Sequence, residues 1–264
     1  MRSNIPLTLE QIQEACPAVF QEAAHPDKVS DKYQHISTLP VLHAMSEAGF
    51  GVSRAQQTNT RSAGARGYAR HLLSFRPMSA FAKTTVGDAI PEVVLINSHD
   101  GNSAYRLHVG LFRMVCENGM IAGRNFETIS IRHRGSPAIE VVSESQRILE
   151  EYVPKLQTWV DTAAITKLNK RQMNQFAAEA QAIRYDDGGF DPSELLQVRR
   201  GADEGDDLWH VYNRVQENLM RGGIKFKNAN GRSCETKPIN RVTKDVIFNQ
   251  KLWDVANNFL PVAA

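Results

Sequence analysis

No apolar run in this 264-residue chain approaches the roughly 18 residues that a membrane-spanning helix requires. The opening "MRSNIPLTLEQIQEAC" has no signal-peptide core, so a cytoplasmic protein without a membrane partner is expected. Cysteine is scarce. Cys16, Cys116 and Cys234 are widely separated and have no C-x-x-C spacing, which argues against a disulfide framework and a cysteine-rich zinc site and leaves reduced thiols. The glycine-and-lysine spacing of a P-loop does not occur, and with it goes support for nucleotide hydrolysis. There is no low-complexity tract or internal repeat, and fractions of 42% apolar and 23% charged residues belong to a chain that folds.

Locally, the scarcest thing is acid. Between Glu47 and Asp88 there is none, while Arg54, Arg61, Arg66, Arg70, Arg76 and Lys83 add six positive charges. A second basic stretch runs from Arg221 to Lys251, where Arg221, Lys225, Lys227, Arg232, Lys237, Arg241, Lys244 and Lys251 face only Glu235 and Asp245. Between them "RYDDGGFDPSELLQVRRGADEGDD" carries eight acids against three arginines. A net charge of +2 thus conceals a segregation that suits a polyanion-binding face opposed by an acidic one.

Periodicity predicts an α+β fold: a curved antiparallel β-sheet with packed helices and a helical C-terminal half. A short helix is capped near Thr8 and ended by Pro17; a second has Thr38 as cap, Pro40 in its first turn and Gly49 as its stop. Strands are predicted at "FGVSRAQQT", "YARHLLSF", "PEVVLINS", "AYRLHVGLFRMV" and "ETISIRH", with Asp100-Gly101 as a hairpin signal. After Pro137 the period is helical, with a kink or break expected at Pro154. "DDLWHVYNRVQENLMRGG" places Leu208, Val211, Tyr212, Val215 and Leu219 on one stripe and opposite it a polar face that is either wet or, with its amides before a Gly-Gly break, presents side chains to a shared site; a last helix, "TKDVIFNQKLWDVANNFL", follows a basic loop. The expected organisation is an N-terminal helix and loop (1–30), a sheet core (31–136) and a helical region (137–264), forming one continuous domain.

His99-Asp100, in "INSHDGNSAY", is the pair that invites a metal reading, with His108 and His133 as further ligands of a metal-dependent nuclease. No H-x-x-x-H or second H-D spacing supports it, so the pair is assigned to turn chemistry in an exposed hairpin, with neither cofactor nor metal. Cys116 is taken as a buried thiol rather than a nucleophile. Arg113, between Phe112 and Met114, either faces solvent or reaches an anion. The most suggestive stretch is "SRAQQTNTRSAGARGYARHLLSF", where arginines alternate with Tyr68, His71 and Phe75; cations and aromatic faces together suit single-stranded nucleic acid, against the plain alternative of a solvated loop.

The strings "VLINSHDGNSAYRLHVGLFRMVCENGMIAG", "IRHRG", "LWHVYNRVQENLMRGG" and "NQKLWDVANNF", in this order, resemble domain-of-unknown-function family 932 over nearly the whole chain from Tyr33 onward. Asn97, Ser98, His99, Asp100, Gly101, Arg113, Cys116, Asn118, Gly119 and His133 match its pattern. The resemblance implies a phage or plasmid setting and carries over no catalytic residue. The resulting expectation is a non-enzymatic DNA-binding accessory protein, favouring single strands, that anneals or protects them in recombination or replication and that can form homo-oligomers. Its contact residues are Arg54, Arg61, Arg66, Tyr68, Arg70, His71, Arg113, Lys225, Lys227, Arg232 and Arg241. The alternatives are the nuclease and an interaction protein that inhibits a host defence factor through the acidic stretch from Asp203 to Asp207.

Overall fold

The computed structural model describes residues 1–25, 35, 37–60, 63–82, 89–100, 105–113, 119–121, 128–131, 137–185, 189–227 and 230–261. The chain divides into two compact units, Met1–Ile121 with Phe126–Pro154 and Ala122–Asn125 with Lys155–Ala264, so the expected change of pattern at 137 falls inside the first.

The first unit is an open antiparallel sheet with helices. Helix α1 (Leu9–Ala15) starts with a reciprocal cap in which Thr8 and Gln11 each bond the other's backbone N–H, and Pro17 opens a 3-10 turn behind it. Cys16 lies between them, buried, with its thiol pushed up to about 12 by that burial. Helix α2 (Leu39–Glu47) buries Val41, Leu42 and Met45. The strands β1 (Phe50–Gln57), β2 (His71–Pro77), β3 (Ala89–Asn97), β4 (Tyr105–Arg113) and β5 (Gly119–Ile121) lie in that order, with β6 (Ile129–Ile131) also on β4; the short helix α3 (Met78–Phe81) follows β2. Every pairing is antiparallel. The predicted strands are all present, β5 was not predicted, and β3 and β4 pair as an antiparallel hairpin whose connection over residues 101–104 lies outside the described residues. His71 to Arg76 are buried without alternation, as befits a central strand covered on both faces. Helix α4 (Pro137–Arg147) packs on α2.

The edge strand β1 is covered by the N-terminal residues, whose backbone bonds run from Ser3 N to Ser53 O and from Ala55 N to Met1 O. A register shift between Val52 and Arg54 turns the Ser53 hydroxyl inward, where it donates to Glu92 at 2.7 Å. Arg76 Nε donates to the same carboxylate at 2.7 Å, and Arg2 approaches at 3.4 Å. Burial pushes the Glu92 pKa up, but Arg2, Arg76 and Ser53 outweigh it and hold the carboxyl below its ordinary value.

Thr38 stands at the α2 N-cap position without capping; its φ of −79° and ψ of −18° are helical. Its hydroxyl is engaged elsewhere. Asn97 Nδ2 donates to Thr38 Oγ1 at 3.0 Å, and that oxygen lies 3.0 Å from His71 Nε2. His71 Nδ1 lies 3.1 Å from the Ala69 carbonyl, which can only accept, so Nδ1 carries the proton and Nε2 accepts from Thr38. A tertiary chain has displaced the local cap.

The second unit is mainly helical. Near the end of the first unit's range, the break expected at Pro154 is a π-helical turn, Ile148–Tyr152, leading into α5 (Val153–Ile165); its wider winding accommodates the proline ring and the loss of its N–H donor. Helix α6 (Lys170–Ala182) has a reciprocal cap between Asn169 and Gln172. Helix α7 (Leu208–Arg221) is capped by Asp207 and ends at Gly222, whose φ is +69°. A side chain there would meet the Thr236 carbonyl at 2.5 Å, so only glycine fits. The stretch predicted as a basic loop contains a hairpin of β7 (Lys225–Lys227) and β8 (Ser233–Glu235), followed by α8 (Val242–Asn257). All three tryptophans meet in the core, where Trp159 stacks on Trp253 at 4.0 Å and meets Trp209 edge-on at 6.4 Å.

The polar face of α7 is not wet. Asn213, Gln216, Glu217 and Asn218 are all buried. Asn218 Nδ2 donates to the Leu195 and Gln197 carbonyls, Glu217 pairs with Arg200 and Arg221, and Gln216 Nε2 donates to Asn249 on α8. The expectation failed because other segments and α8 cover this face and bond several of its side chains, which periodicity within one helix does not report. No helix among the described residues is long and apolar enough to cross a membrane.

The enclosed groups of the first unit make two predictions. Glu92→Gln removes the enclosed carboxylate that Arg76 pairs with and should lower stability in urea unfolding by about 3–5 kcal/mol; a loss under 1 kcal/mol would mean the pair contributes no more than a surface bridge. Burial lowers the pKa of both His71 and His108 from 6.5 to about 4, with the Ala69 carbonyl opposing the shift in His71 and Arg106 adding to it in His108. The unfolded chain therefore binds protons that the folded one rejects between these values, so stability is full above pH 6.5 and falls as pH drops towards 4. Each histidine should contribute a slope of about 1.4 kcal/mol per pH unit. His108→Gln should remove one of the two contributions, and an unchanged slope would contradict the assignment.

Candidate nucleic-acid interface

In the first unit the described residues of the arginine-bearing connection between β1 and β2 are held by hydrogen bonds. Thr58 N donates to Arg70 O, Gln57 Nε2 donates to Arg66 O, and residues Ala63–Tyr68 form a 3-10 turn. The Arg66 side chain is exposed and forms no ion pair among the described residues. Tyr68 is half-buried with its ring 4.8 Å from that of His25. Arg70 and Arg54 are half-exposed, and the Arg54 guanidinium bonds the Gln56 side chain. His71 is enclosed by the Thr38 and Ala69 contacts and has no face to offer a ligand. Arg61 lies outside the described residues; Arg113 is placed only by its backbone, opposite Ala89.

His99 is wholly enclosed rather than exposed at a turn. Its ring lies between those of His35 and His71, at 4.6 and 5.3 Å, and its backbone N–H donates to Tyr68 O while its carbonyl accepts from His25. The turn-residue signature was correct about the hairpin and silent about what packs over it. Asp100 accepts from the Ser98 hydroxyl at 2.7 Å, and His108 Nδ1 lies 3.2 Å from Thr128 Oγ1. His133 is outside the described residues, among which no three His, Cys, Asp or Glu side chains are disposed to hold a metal.

In the second unit, β7 exposes Lys225 and Lys227 with Phe226 half-buried between them, the alternation of a strand with one covered face. Arg232, Lys237, Arg241 and Lys244 reach the surface as well. Their two acidic neighbours in sequence are not equivalent. Glu235 is exposed, whereas Asp245 is fully enclosed, its carboxylate accepting from Asn249 Nδ2 at 2.7 Å. Arg221 is occupied by Glu217. Glu235 is therefore the only acid at the surface across 221–251; the pairing of Arg221 removes one cation and the enclosure of Asp245 one acid, so the basic excess read from the sequence is kept at the surface.

Beside the hairpin lies a cleft of about 750 Å³, whose lining includes Tyr185, Phe226, Lys237, Arg241, Lys244 and Ile247. Arg184 also borders it, but its guanidinium donates to the Leu219 and Lys237 carbonyls and lies 5.2 Å from the Tyr185 ring centre. Burial draws the Arg184 pKa below its ordinary value, with Tyr185 opposing. Sequence reasoning named Phe226's neighbours and Arg241 but missed Tyr185, Lys237, Lys244 and Ile247 as one group. The helical period of Val242, Asp245, Asn249, Leu252 and Ala256 was the available signal, since it turns Asp245 inward and leaves Lys244 and Ile247 outside.

The acidic run does not form a free anionic face. Asp203 and Asp207 are buried; Asp207 accepts from the His210 backbone N–H and approaches its ring at 2.7 Å, and Asp206 pairs with Lys167. An acidic bait for a host protein would have to rest on what remains.

No solved structure matches the chain. Among curated proteins it is 32% identical over 262 residues to UPF0380 protein YafZ of Escherichia coli strain K12, covering 98% of this chain and 94% of that protein. UPF0380 protein YfjQ of the same strain is similar to the same extent, 32% over 262 residues with the same coverage. The model of the domain of unknown function DUF932 matches residues 27–253, and the chain belongs to that family.

Proposed function

We propose that this protein is a non-enzymatic nucleic-acid-binding accessory protein, favouring single-stranded DNA, that anneals or protects strands during recombination or replication of a phage or plasmid. The observation that carries the reading is the enclosure of Asp245, which leaves Lys225, Lys227, Lys237, Arg241 and Lys244 at the surface with Glu235 as the only surface acid of their stretch. Surface cations in such excess attract phosphates by counterion release and need no sequence. In each unit the cations adjoin a partly exposed ring, Tyr68 beside Arg66 and Phe226 between two lysines, and a ring face is useful to unpaired bases rather than to a closed duplex. His71 leaves the proposed contact set because it is enclosed; Arg54, Arg66, Tyr68, Arg70, Lys225, Lys227, Arg232 and Arg241 remain, and Arg61 and Arg113 stay in it as residues whose side chains lie outside the described ones.

Charge and stacking are separable by experiment. Replacing Lys225, Lys227 and Arg232 together by Gln should weaken binding to an oligothymidylate and flatten the log–log salt dependence by about 0.7 for each phosphate that is no longer engaged. Tyr68→Ala should cost about 1–3 kcal/mol with the slope unchanged. A folded triple variant with the parent's affinity and salt dependence would refute the proposal.

A further inference from the structure

The cleft of the second unit has features that phosphate attraction alone does not require. Its two aromatic side chains are braced by a third: Phe190 lies 5.4 Å from Tyr185 and 5.8 Å from Phe226, ring centre to ring centre. Gly189, with φ +95°, lets Phe226 come close, since a side chain there would meet the ring at 3.2 Å. Tyr185 is held from another side by Arg184, which two backbone carbonyls pin in place. These rings are fixed before any ligand arrives, and fixed rings bind flat ligands with little ordering cost. Ile247, nearly half exposed at 47%, adds apolar surface to the same cleft. Lys237, Arg241 and Lys244 line it too, at the surface and without an ion pair among the described residues.

A ligand that uses all of these groups has a flat apolar part and a negative charge within one cleft's length. Inorganic phosphate would leave the rings unused; an uncharged aromatic would leave the three cations unused. The volume of about 750 Å³ lies within the range of small-molecule sites. We propose that the cleft binds one nucleotide unit, the base against Tyr185 and Phe226 and the phosphate on Lys237, Arg241 and Lys244, whether that unit is free or part of a strand. The proposal deepens the function above by giving the second unit a base-binding site as well as a charged surface, and its strand-held form rests on that reading.

The test uses the full-length protein and two fluorescent probes, 2-aminopurine deoxyriboside 5′-monophosphate and an oligothymidylate carrying one 2-aminopurine. Stacking should quench the bound probe saturably, and the nucleoside without phosphate should bind about tenfold more weakly, as expected when charge-assisted hydrogen bonds are removed. Phe226→Leu should cost about tenfold in affinity and relieve the quenching, within the range for removing a base–aromatic stack. Lys244→Gln, at a surface position that will not disturb folding, should weaken binding and reduce its salt dependence, whereas Lys170→Gln on α6 should change neither. Quenching of the strand-held probe alone assigns the cleft to nucleotides within strands. Quenching of the free nucleotide without any strand binding keeps the cleft proposal and removes the function proposed above. Strand binding that is weakened by the Lys225, Lys227 and Arg232 substitutions but indifferent to Phe226→Leu and Lys244→Gln, with no saturable quenching, keeps that function and overturns the cleft. Displacement of the nucleotide by inorganic phosphate at equal concentration would also overturn it, leaving an anion site only.

Discussion

Asp245 sits inside the second unit as a carboxylate with no solvent, and much else depends on how that is tolerated. An enclosed charge is costly unless hydrogen bonds replace water. Asn249, one turn further along α8, donates to both the Asp245 carboxylate and its backbone carbonyl, and accepts from Gln216 on α7. The same bonds that keep the acid inside therefore tie the two helices together. They also set the surface: enclosed, Asp245 offers no carboxylate oxygen to a ligand there, and Arg241 and Lys244 are the charged groups exposed at this end of α8. Packing and surface charge are thus two results of one arrangement.

Glu92 in the first unit shows the same economy with a different outcome. It too is enclosed, but its neighbours are Arg2, Arg76 and the Ser53 hydroxyl, so the acid is matched by cations inside the sheet rather than by amide donors alone. Arg76 counts among the six cations of the acid-free stretch, yet it contributes nothing to any surface. A basic tally along the sequence overstates the first unit's surface and holds for that of the second.

Much of the architecture was legible because it is local. The Thr8 cap, the pairing of β3 with β4 on either side of the Asp100-Gly101 step, the apolar stripe from Leu208 to Leu219 and the stop at Gly222 each depend on a few adjacent residues, and each is present. What was not legible depends on residues far apart in sequence. Thr38 gives up its cap for Asn97 and His71; His99 is covered by His35; the amide face of α7 is covered by α8 and the loop at Leu195. The candidate contacts divide the same way. Arg66 and Lys225 are exposed as composition suggested, His71 is not, and the cleft joins Tyr185 to Lys244 across a span that no motif covers.

If an excess of surface cations beside fixed rings supplies the working parts, the most direct measurement is the affinity of the unmodified protein for one DNA sequence in single- and double-stranded form across a series of salt concentrations. The account predicts tighter binding to the single strand at every salt, with the logarithm of affinity falling linearly against the logarithm of salt by about 0.7 for each phosphate engaged. Absence of binding at low salt, or an affinity indifferent to both salt and strandedness, would contradict it.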